Sequence, residues 1–402
     1  MHIINGRIFT FGKRADTVSG EDETGIFEQG FVTLEGDKIK AVGTMDAYKG
    51  DASGGDGSEG DVLDVRGAWV FPGLIDAHCH VGISEEKWGS IGDDCNEAAS
   101  PLTPYLRGLD AVNPMDSAFH DAIMAGITSV MTGLGSANIA GGQSVVMKVQ
   151  GRVMDRMILK APAAMKIAFG ENPKVNYGDK GRMPCSRMAI ASLLREELYE
   201  AKEYWEQKKR GQCVPIEFRK ECWIPVLEGK IPLKAHVHRA DDILTAIRIA
   251  KEFHLDMTLD HCTEGHLIAD EIKASGYPVI TGPGLTARSK IEVKNMSFKT
   301  AGILHQAGVK IAVMSDHPVT LIRYLPIYAG LCVRQGLPMS EGLKAITIHA
   351  AEICGVSDRI GSIEPGKDAD LAIFSGNPME IFTKTLYTII NGNIVYRLSD
   401  GD

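Results

Sequence analysis

No apolar run in this 402-residue sequence approaches the roughly 18 to 20 residues that a membrane-spanning helix requires, so no membrane partner is expected. Basic excess is also lacking. The formal net charge is −9, which removes the electrostatic footprint a nucleic-acid binder would carry. The eight cysteines are scattered without a repeated short spacing, which argues against a disulfide framework and against a cysteine-based zinc site. Reduced thiols and a cytoplasmic location are the expectation. The first residues, Met1-His2-Ile3-Ile4-Asn5-Gly6-Arg7, lack the apolar stretch of a secretory leader. No repeat of fixed period is found. What remains is an ordinary globular composition, 44% hydrophobic and 24% charged, long enough for a large core and more than one domain.

The two ends of the chain are rich in short alternating stretches. Residues 30–43 read as a hairpin around a Gly-Asp turn, and residues 51–61 (DASGGDGSEGD) as a polar, Gly-rich loop. Near the C-terminus, residues 361–374 read as a turn followed by a strand, and residues 387–396 as two strands around Asn391-Gly392. Neither end alone has enough strands to close a core, so the ends are expected to pair into one small β-sandwich. Between them strand and helix patterns alternate, which predicts a parallel α/β architecture. Strands are expected at 128–131, 233–237, 257–259 and 309–314, and a helix at 241–252 capped by Asp241 or Asp242. Residues 186–210 form one long, charged, helix-forming segment.

The most telling string is Phe71-Pro72-Gly73-Leu74-Ile75-Asp76-Ala77-His78-Cys79-His80. It reads as a buried strand ending in His-x-His. Alternation puts both imidazoles on one face, roughly 7 Å apart, and turns Cys79 away toward packing. Two imidazoles so placed can hold one divalent metal. Other strand ends carry similar chemistry: Ala235-His236-Val237-His238, Leu259-Asp260-His261-Cys262-Thr263-Glu264-Gly265-His266 and Ile311-Ala312-Val313-Met314-Ser315-Asp316-His317. The carboxyl ends of strands are where α/β barrels keep their active sites. In Met165-Lys166-Ile167-Ala168-Phe169 a lysine stands in an otherwise apolar strand and needs a partner, since burying its charge alone is costly.

The Pro-Gly-Leu-Ile-Asp-x-His-x-His string resembles the first metal-binding strand of the amidohydrolase superfamily. The ordered set His78, His80, Lys166, His236, His261 and Asp316, followed by Gly361-Ser362-Ile363-Glu364-Pro365-Gly366-Lys367-Asp368-Ala369-Asp370-Leu371, extends that resemblance over nearly the whole chain, near the dipeptidase and imidazolonepropionase branches. It implies a distorted TIM (β/α)8 barrel over residues 71–350, with a β-sandwich made from residues 1–70 and 351–402. It implies one or two divalent ions, with zinc expected. His78, His80 and Asp316 would hold one ion; His236 and His261 would hold the other, bridged by a carboxylated Lys166. Glu171 is the rival for the fourth-strand position, and a mononuclear site with Lys166 as an ordinary ion-pair residue stays open. His238 is expected to contact substrate or support a ligand, or to be a bonded loop histidine. Gln143, in a Gly141-Gly142-Gln143 stretch that reads equally as a substrate-side loop or a plain tight turn, Arg288 as a carboxylate binder or a solvated loop arginine, and His317 are weighed for the substrate side; His266 is weighed as functional or as a polar bystander. The chain has His236-Val237-His238-Arg239-Ala240 where deaminase-like and imidazolonepropionase-like members place an acid after the fifth-strand histidine, which disfavours deamination and imidazolone-ring opening.

The expected activity is hydrolysis of an amide or cyclic amide C–N bond on a small molecule, a dipeptide or N-acyl amino acid first, with Asp316 as general base and then acid. A deaminase of an amino-heterocycle is the alternative enzyme, and a non-catalytic partner-binding barrel the alternative class. A homo-oligomer is expected from the resemblance.

Overall fold

The computed structural model describes residues 1–12, 25–49, 62–86 and 89–399; the Gly-rich stretch at 51–61 lies outside them. The N-terminal segment supplies β1 (His2–Phe9), β2 (Ile26–Glu35), β3 (Lys38–Thr44), β4 (Val62–Asp64) and β5 (Trp69–Pro72). Then follow β6 (Leu74–Cys79), β7 (Ile127–Thr132), β8 (Ala140–Lys148), β9 (Ile158–Ala168), β10 (Leu233–Val237), β11 (Met257–His261), β12 (Val279–Thr281) and β13 (Ile311–Val313). The C-terminal segment adds β14 (Leu371–Phe374), β15 (Thr385–Ile390) and β16 (Asn393–Arg397).

Both chain ends join one eight-stranded sheet, ordered β16-β15-β14-β5-β1-β2-β3, with β4 paired to β1. The antiparallel β14–β5 pair is the splice between them. The β2–β3 hairpin turns at Gly36-Asp37, and β15–β16 turns at Asn391-Gly392, where both residues have positive φ (52° and 74°), the conformation Asn-Gly turns favour. Ile3, Ile8, Val32, Val70, Leu371 and Ile389 form this sheet's buried core.

The second sheet runs β6 to β13 in chain order and nearly closes on itself. Its seam is stitched by Asp316 N–H to His78 O at 3.1 Å and His80 N–H to His317 O at 2.8 Å. Neighbours are parallel except at β8, which runs antiparallel to both β7 and β9. The expected loop at Gly141-Gly142-Gln143 is therefore strand. The glycines serve close approach rather than a turn. Gly142 has φ +137°, and a Cβ there would lie 2.3 Å from Leu106 O.

Alternation on β10 and β9 sorts the two faces. Leu233, Ala235 and Val237 join the apolar core, while Lys166, Lys234 and His236 are buried polar residues. The long helix spans Arg187–Lys209, with Ser186 Oγ accepting from Ala189 N–H as its N-cap. The helix after β10 covers Ala240–Phe253, and its N-cap is Arg239, not an aspartate. The Asp241 carboxylate receives the Arg239 guanidinium at 2.8–2.9 Å instead. A buried charge cluster ties the two sheets together. Lys148, at the end of β8, lies 2.8 Å from Asp368 and 3.0 Å from Asp370.

Candidate metal centre

β6 delivers His78, and the seam between β6 and β13 brings His80 and Asp316 beside it. Asp316 Oδ1 is 3.1 Å from His78 Nε2 and 3.4 Å from His80 Nε2. Asp316 has φ +55°, so the chain turns sharply as it leaves β13. β10 and β11 deliver a second set, His236, His238 and His261. In each set the donor atoms lie within 4.8 Å of one another. The sets face each other across His261, whose ring centroid is 5.4 Å from that of His78 and 4.4 Å from that of His236.

The orientation of the rings is the informative part. His78 Nδ1 is 2.9 Å from Asp260 Oδ2, His80 Nδ1 is 2.8 Å from Gly133 O, and His261 Nδ1 is 2.9 Å from Gly282 O. Carbonyls and carboxylates only accept, so these Nδ1 atoms donate. His238 Nδ1 is 2.7 Å from Thr263 Oγ1. The bonds of His78, His80 and His261 to pure acceptors leave Nε2 to present a lone pair, whereas the Thr263 hydroxyl can donate or accept. His78 Nε2 is buried without a hydrogen-bond partner, although Asp316 Oδ1 lies 3.1 Å away. Two acceptors face each other at that contact, which a cation between them would satisfy. The donor set of imidazoles and one carboxylate suits zinc and neighbouring first-row ions.

Electrostatics favour the neutral ring at His236, His238 and His261 but not at His80. Burial lowers His236 and His238 well below the usual imidazole range, with the neighbouring histidines adding to it. Burial also takes His261 to about 3, against the pull of Asp316. These rings are neutral, as ligands must be. Burial works to raise Asp316, but His261, His78 and His80 outweigh it and hold the carboxyl well below its ordinary value. Burial likewise pulls His80 down, yet Cys95 and Asp316 beside it carry it to about 10, so a proton and a cation compete for its Nε2. Lys166 falls to about 8, first through burial, while Asp260 opposes the fall and Lys234 adds to it.

The structure thus brings together His78, His80, His236, His261, Asp316 and Lys166, and it groups His238 with the ligand histidines. Lys166 Nζ lies 3.8 Å from Asp260 Oδ2. Glu171 opens a short helix, and its backbone N–H, which donates to Glu292 Oε2 at 2.9 Å, is what joins the site's network. Gln143 pairs in register with Met165, and directly opposed residues share a face. It therefore lies on the face away from Lys166, in a cavity with Phe218 and Cys222. Arg288 is exposed and donates to Met296 O at 3.4 Å. His317 is fully buried, its Nε2 4.0 Å from Glu86. His266 stands aside, 3.0 Å from Thr300 Oγ1.

Several residues escaped the sequence reading. Asp76 accepts from His78 N–H at 3.1 Å and Ser315 N–H at 3.2 Å, and burial raises it to about 7. Lys234 and Asp260 pair at 3.2 Å beneath His78. Asp76 and Lys234 each stand two positions before a candidate ligand histidine, so strand alternation is a usable signal for both. At the rim, Lys290 Nζ is 2.6 Å from the buried Glu292 and 2.7 Å from Asn172 Oδ1; Asn172 Nδ2 lies 3.4 Å from His236 Nε2, and Glu292 Oε1 lies 3.7 Å from His238 Nε2. No sequence pattern marks these.

Known proteins share this arrangement of strands. The chain is 38% identical to an amidohydrolase from Thermotoga maritima MSB8 of known structure, over 99% of this chain and 100% of that one, with a TM-score of 0.90. This chain belongs to the amidohydrolase family. A model described as "Amidohydrolase family" matches residues 295–396, the stretch that includes Asp316 and the C-terminal strands. The imidazolonepropionase of Maricaulis maris (strain MCS10) is 26% identical over 93% of this chain and 94% of its own length. Amidohydrolase tasK of Hapsidospora irregularis is 25% identical over 82% of this chain, which spans only 37% of that protein. This amidohydrolase is thus a family hydrolase of carbon–nitrogen bonds with candidate divalent-metal ligands at its barrel mouth. No helix among the described residues is long and apolar enough to cross a membrane.

Proposed function

We propose that this amidohydrolase cleaves an amide or cyclic amide C–N bond of a small molecule, with two divalent ions, zinc the expected one, on the two facing ligand sets. The observation that carries the reading is the tethering of Nδ1 on His78, His80 and His261 to pure acceptors, which leaves their Nε2 atoms for coordination. A divalent ion held there lowers the pKa of water and polarises a carbonyl.

The chain's own residues do the rest. Asp316, ionised among the histidines, accepts a proton from the attacking water and passes it to the leaving nitrogen. Lys166, with a pKa of about 8, keeps a share of neutral amine near neutral pH. That amine adds to CO₂ and releases one proton, giving a carbamate anion to bridge the two sets. Lys166 on β9 is the register partner of Lys234 on β10, two residues before His236, which supports it over Glu171, whose contact is through its backbone N–H.

For the substrate, a dipeptide or N-acyl amino acid is favoured by Lys290, two contacts from His236, whose ammonium already holds a carboxylate, that of Glu292 at 2.6 Å, and can share a substrate carboxylate with it. A second reading, opening of a cyclic amide, is favoured by Glu292, a buried acid 3.7 Å from His238 that comes from another element than the missing post-His236 acid. The reading includes a (β/α)8 barrel over residues 71–350, a β-sandwich from residues 1–70 and 351–402, and a cytoplasmic homo-oligomer, in keeping with the free cysteines.

The test is metal content per chain by elemental mass spectrometry, then turnover of the zinc-loaded protein on dipeptides, N-acyl amino acids, lactams and aminoheterocycles. Two ions and release of an amine from a linear amide are expected. A loaded protein that deaminates heterocycles alone would overturn the amide reading, and one inert across the panel would favour a partner-binding barrel.

A further inference from the structure

Beneath the two ligand sets lies a buried ion pair. Asp260, at 0% exposure, stands on β11 immediately before His261. Its Oδ2 takes the His78 Nδ1 proton at 2.9 Å and lies 3.2 Å from Lys234 Nζ. Its Oδ1 accepts from Thr258 Oγ1 at 3.1 Å and from Lys234 Nζ at 3.3 Å. Lys234 Nζ also donates to Ala77 O at 3.0 Å, the carbonyl just before His78. The pair therefore grips His78 twice, by its ring and by its backbone.

Two lysines point at this one carboxylate. Lys234 and Lys166 are register partners on β10 and β9. Lys234 touches both oxygens of Asp260, while Lys166 stays at 3.8 Å from one of them, beyond hydrogen-bond reach. Lys234 is thus the counter-ion of Asp260, and Lys166 is the surplus amine.

We propose that Asp260 and Lys234 are a positioning pair for the metal centre. Asp260 fixes the tautomer and rotation of His78 so that Nε2 faces Asp316 and His80. Lys234 neutralises Asp260, so that Lys166 is not drawn into that role. Neither residue touches the reacting atoms; both act through His78 and Lys166. The proposal rests on the reading that His78 holds an ion.

Zn²⁺ titration of chelator-stripped protein against a competing chromophoric chelator tests it, with wild type, Asp260→Asn and the double variant Asp260→Asn/Lys234→Met compared. An asparagine can offer N–H to His78 Nδ1, which moves the ring proton to Nε2 and blocks it. One ion should bind about 10- to 100-fold more weakly in both variants, the loss usual for such outer partners, with the other ion within about threefold of wild type. The double variant removes both charges together, a change that buried pairs tolerate. Its metal-free melting temperature should stay near wild type, and its Co²⁺-loaded visible spectrum should differ from that of wild type.

Zn²⁺ affinities equal to wild type in both variants overturn the proposal. So does equal weakening of every ion together with a lowered metal-free melting temperature, which marks a structural pair only. If wild type itself takes up a single ion, the two-ion reading fails while the comparison of variants still decides the role of Asp260.

Discussion

If Lys166 is the bridging carbamate, loading of this amidohydrolase depends on CO₂, and the size of that dependence follows from the lysine's surroundings. Lys166 is 1% exposed and burial lowers it from 10.5 to about 8. At pH 7.5 roughly a quarter of it is then neutral amine, against roughly one part in a thousand for an ordinary lysine, a gain of about two-hundred-fold in the species that attacks CO₂. Chelator-stripped wild type should therefore take up two Zn²⁺ in bicarbonate buffer and lose one on loading in CO₂-scrubbed buffer. Lys166→Met, which keeps the apolar stem and removes the amine, should take up one in either. The sign with pH also follows. Raising pH from 6.5 to 7.5 at fixed dissolved CO₂ multiplies the neutral fraction by about eight, so uptake of the second ion should speed by a similar factor. The assay is elemental mass spectrometry after gel filtration, with ¹³CO₂ incorporation followed by ¹³C NMR. Wild-type loading that ignores CO₂ and matches Lys166→Met would refute the reasoning and make Lys166 a buried ion-pair residue.

Asp316→Asn should cut turnover on a validated amide by about 10²- to 10⁴-fold, the usual contribution of a general base; near-wild-type kcat would remove Asp316 from the proton path. His261 sits at about 3 in the folded chain against an ordinary 6.5, so its neutral form contributes stability that is present above pH 6.5 and lost as pH falls toward 3. The stability gap between metal-free wild type and His261→Gln, read by urea denaturation, should narrow by about 2 to 3 kcal/mol between pH 6.5 and 4.5; a gap independent of pH contradicts this. Lys148→Met takes the cation from buried Asp370, while Asp368 keeps Lys38 and Arg359. It should cost about 3 to 5 kcal/mol in the same assay, and a loss under 1 kcal/mol would show that Asp370 does not depend on that cation.

Much of the site was legible because strands alternate. Period two places His78 with His80 and His236 with His238, and it turns Cys79 away, where its thiol faces Met131 O. Applied two residues further back, the same rule reaches Asp76 and Lys234, which share the faces of His78 and His236. The fold was legible for a related reason: apolar strands between helical patterns, with β-rich ends that cannot close alone. The antiparallel β8 was not, because glycine is equally a turn former and a residue that permits close approach. Only the partner, Leu106 O, decides between them.

Asp260 marks where alternation stops being a guide. It is adjacent to His261, and on a regular strand the two side chains would face opposite sides. Here both serve one centre, Asp260 gripping His78 and His261 facing it. The backbone supplies the reason: His261 and Cys262 have φ of +65° and +48°, so β11 leaves strand geometry at His261. Asp316 does the same at φ +55° after β13. Left-handed conformations cost non-glycine residues about 1 to 3 kcal/mol each, and such a cost persists only where the surroundings over-determine it. At His261 the surroundings are the Nδ1 bond to Gly282 O, and at Asp316 the seam bond to His78 O. The strain therefore falls on two of the candidate ligand residues, His261 and Asp316. A sequence reports which side chains can bind an ion, but the backbone angle that lets adjacent residues converge on it depends on contacts from elsewhere in the chain, here Gly282 after β12 and His78 on β6.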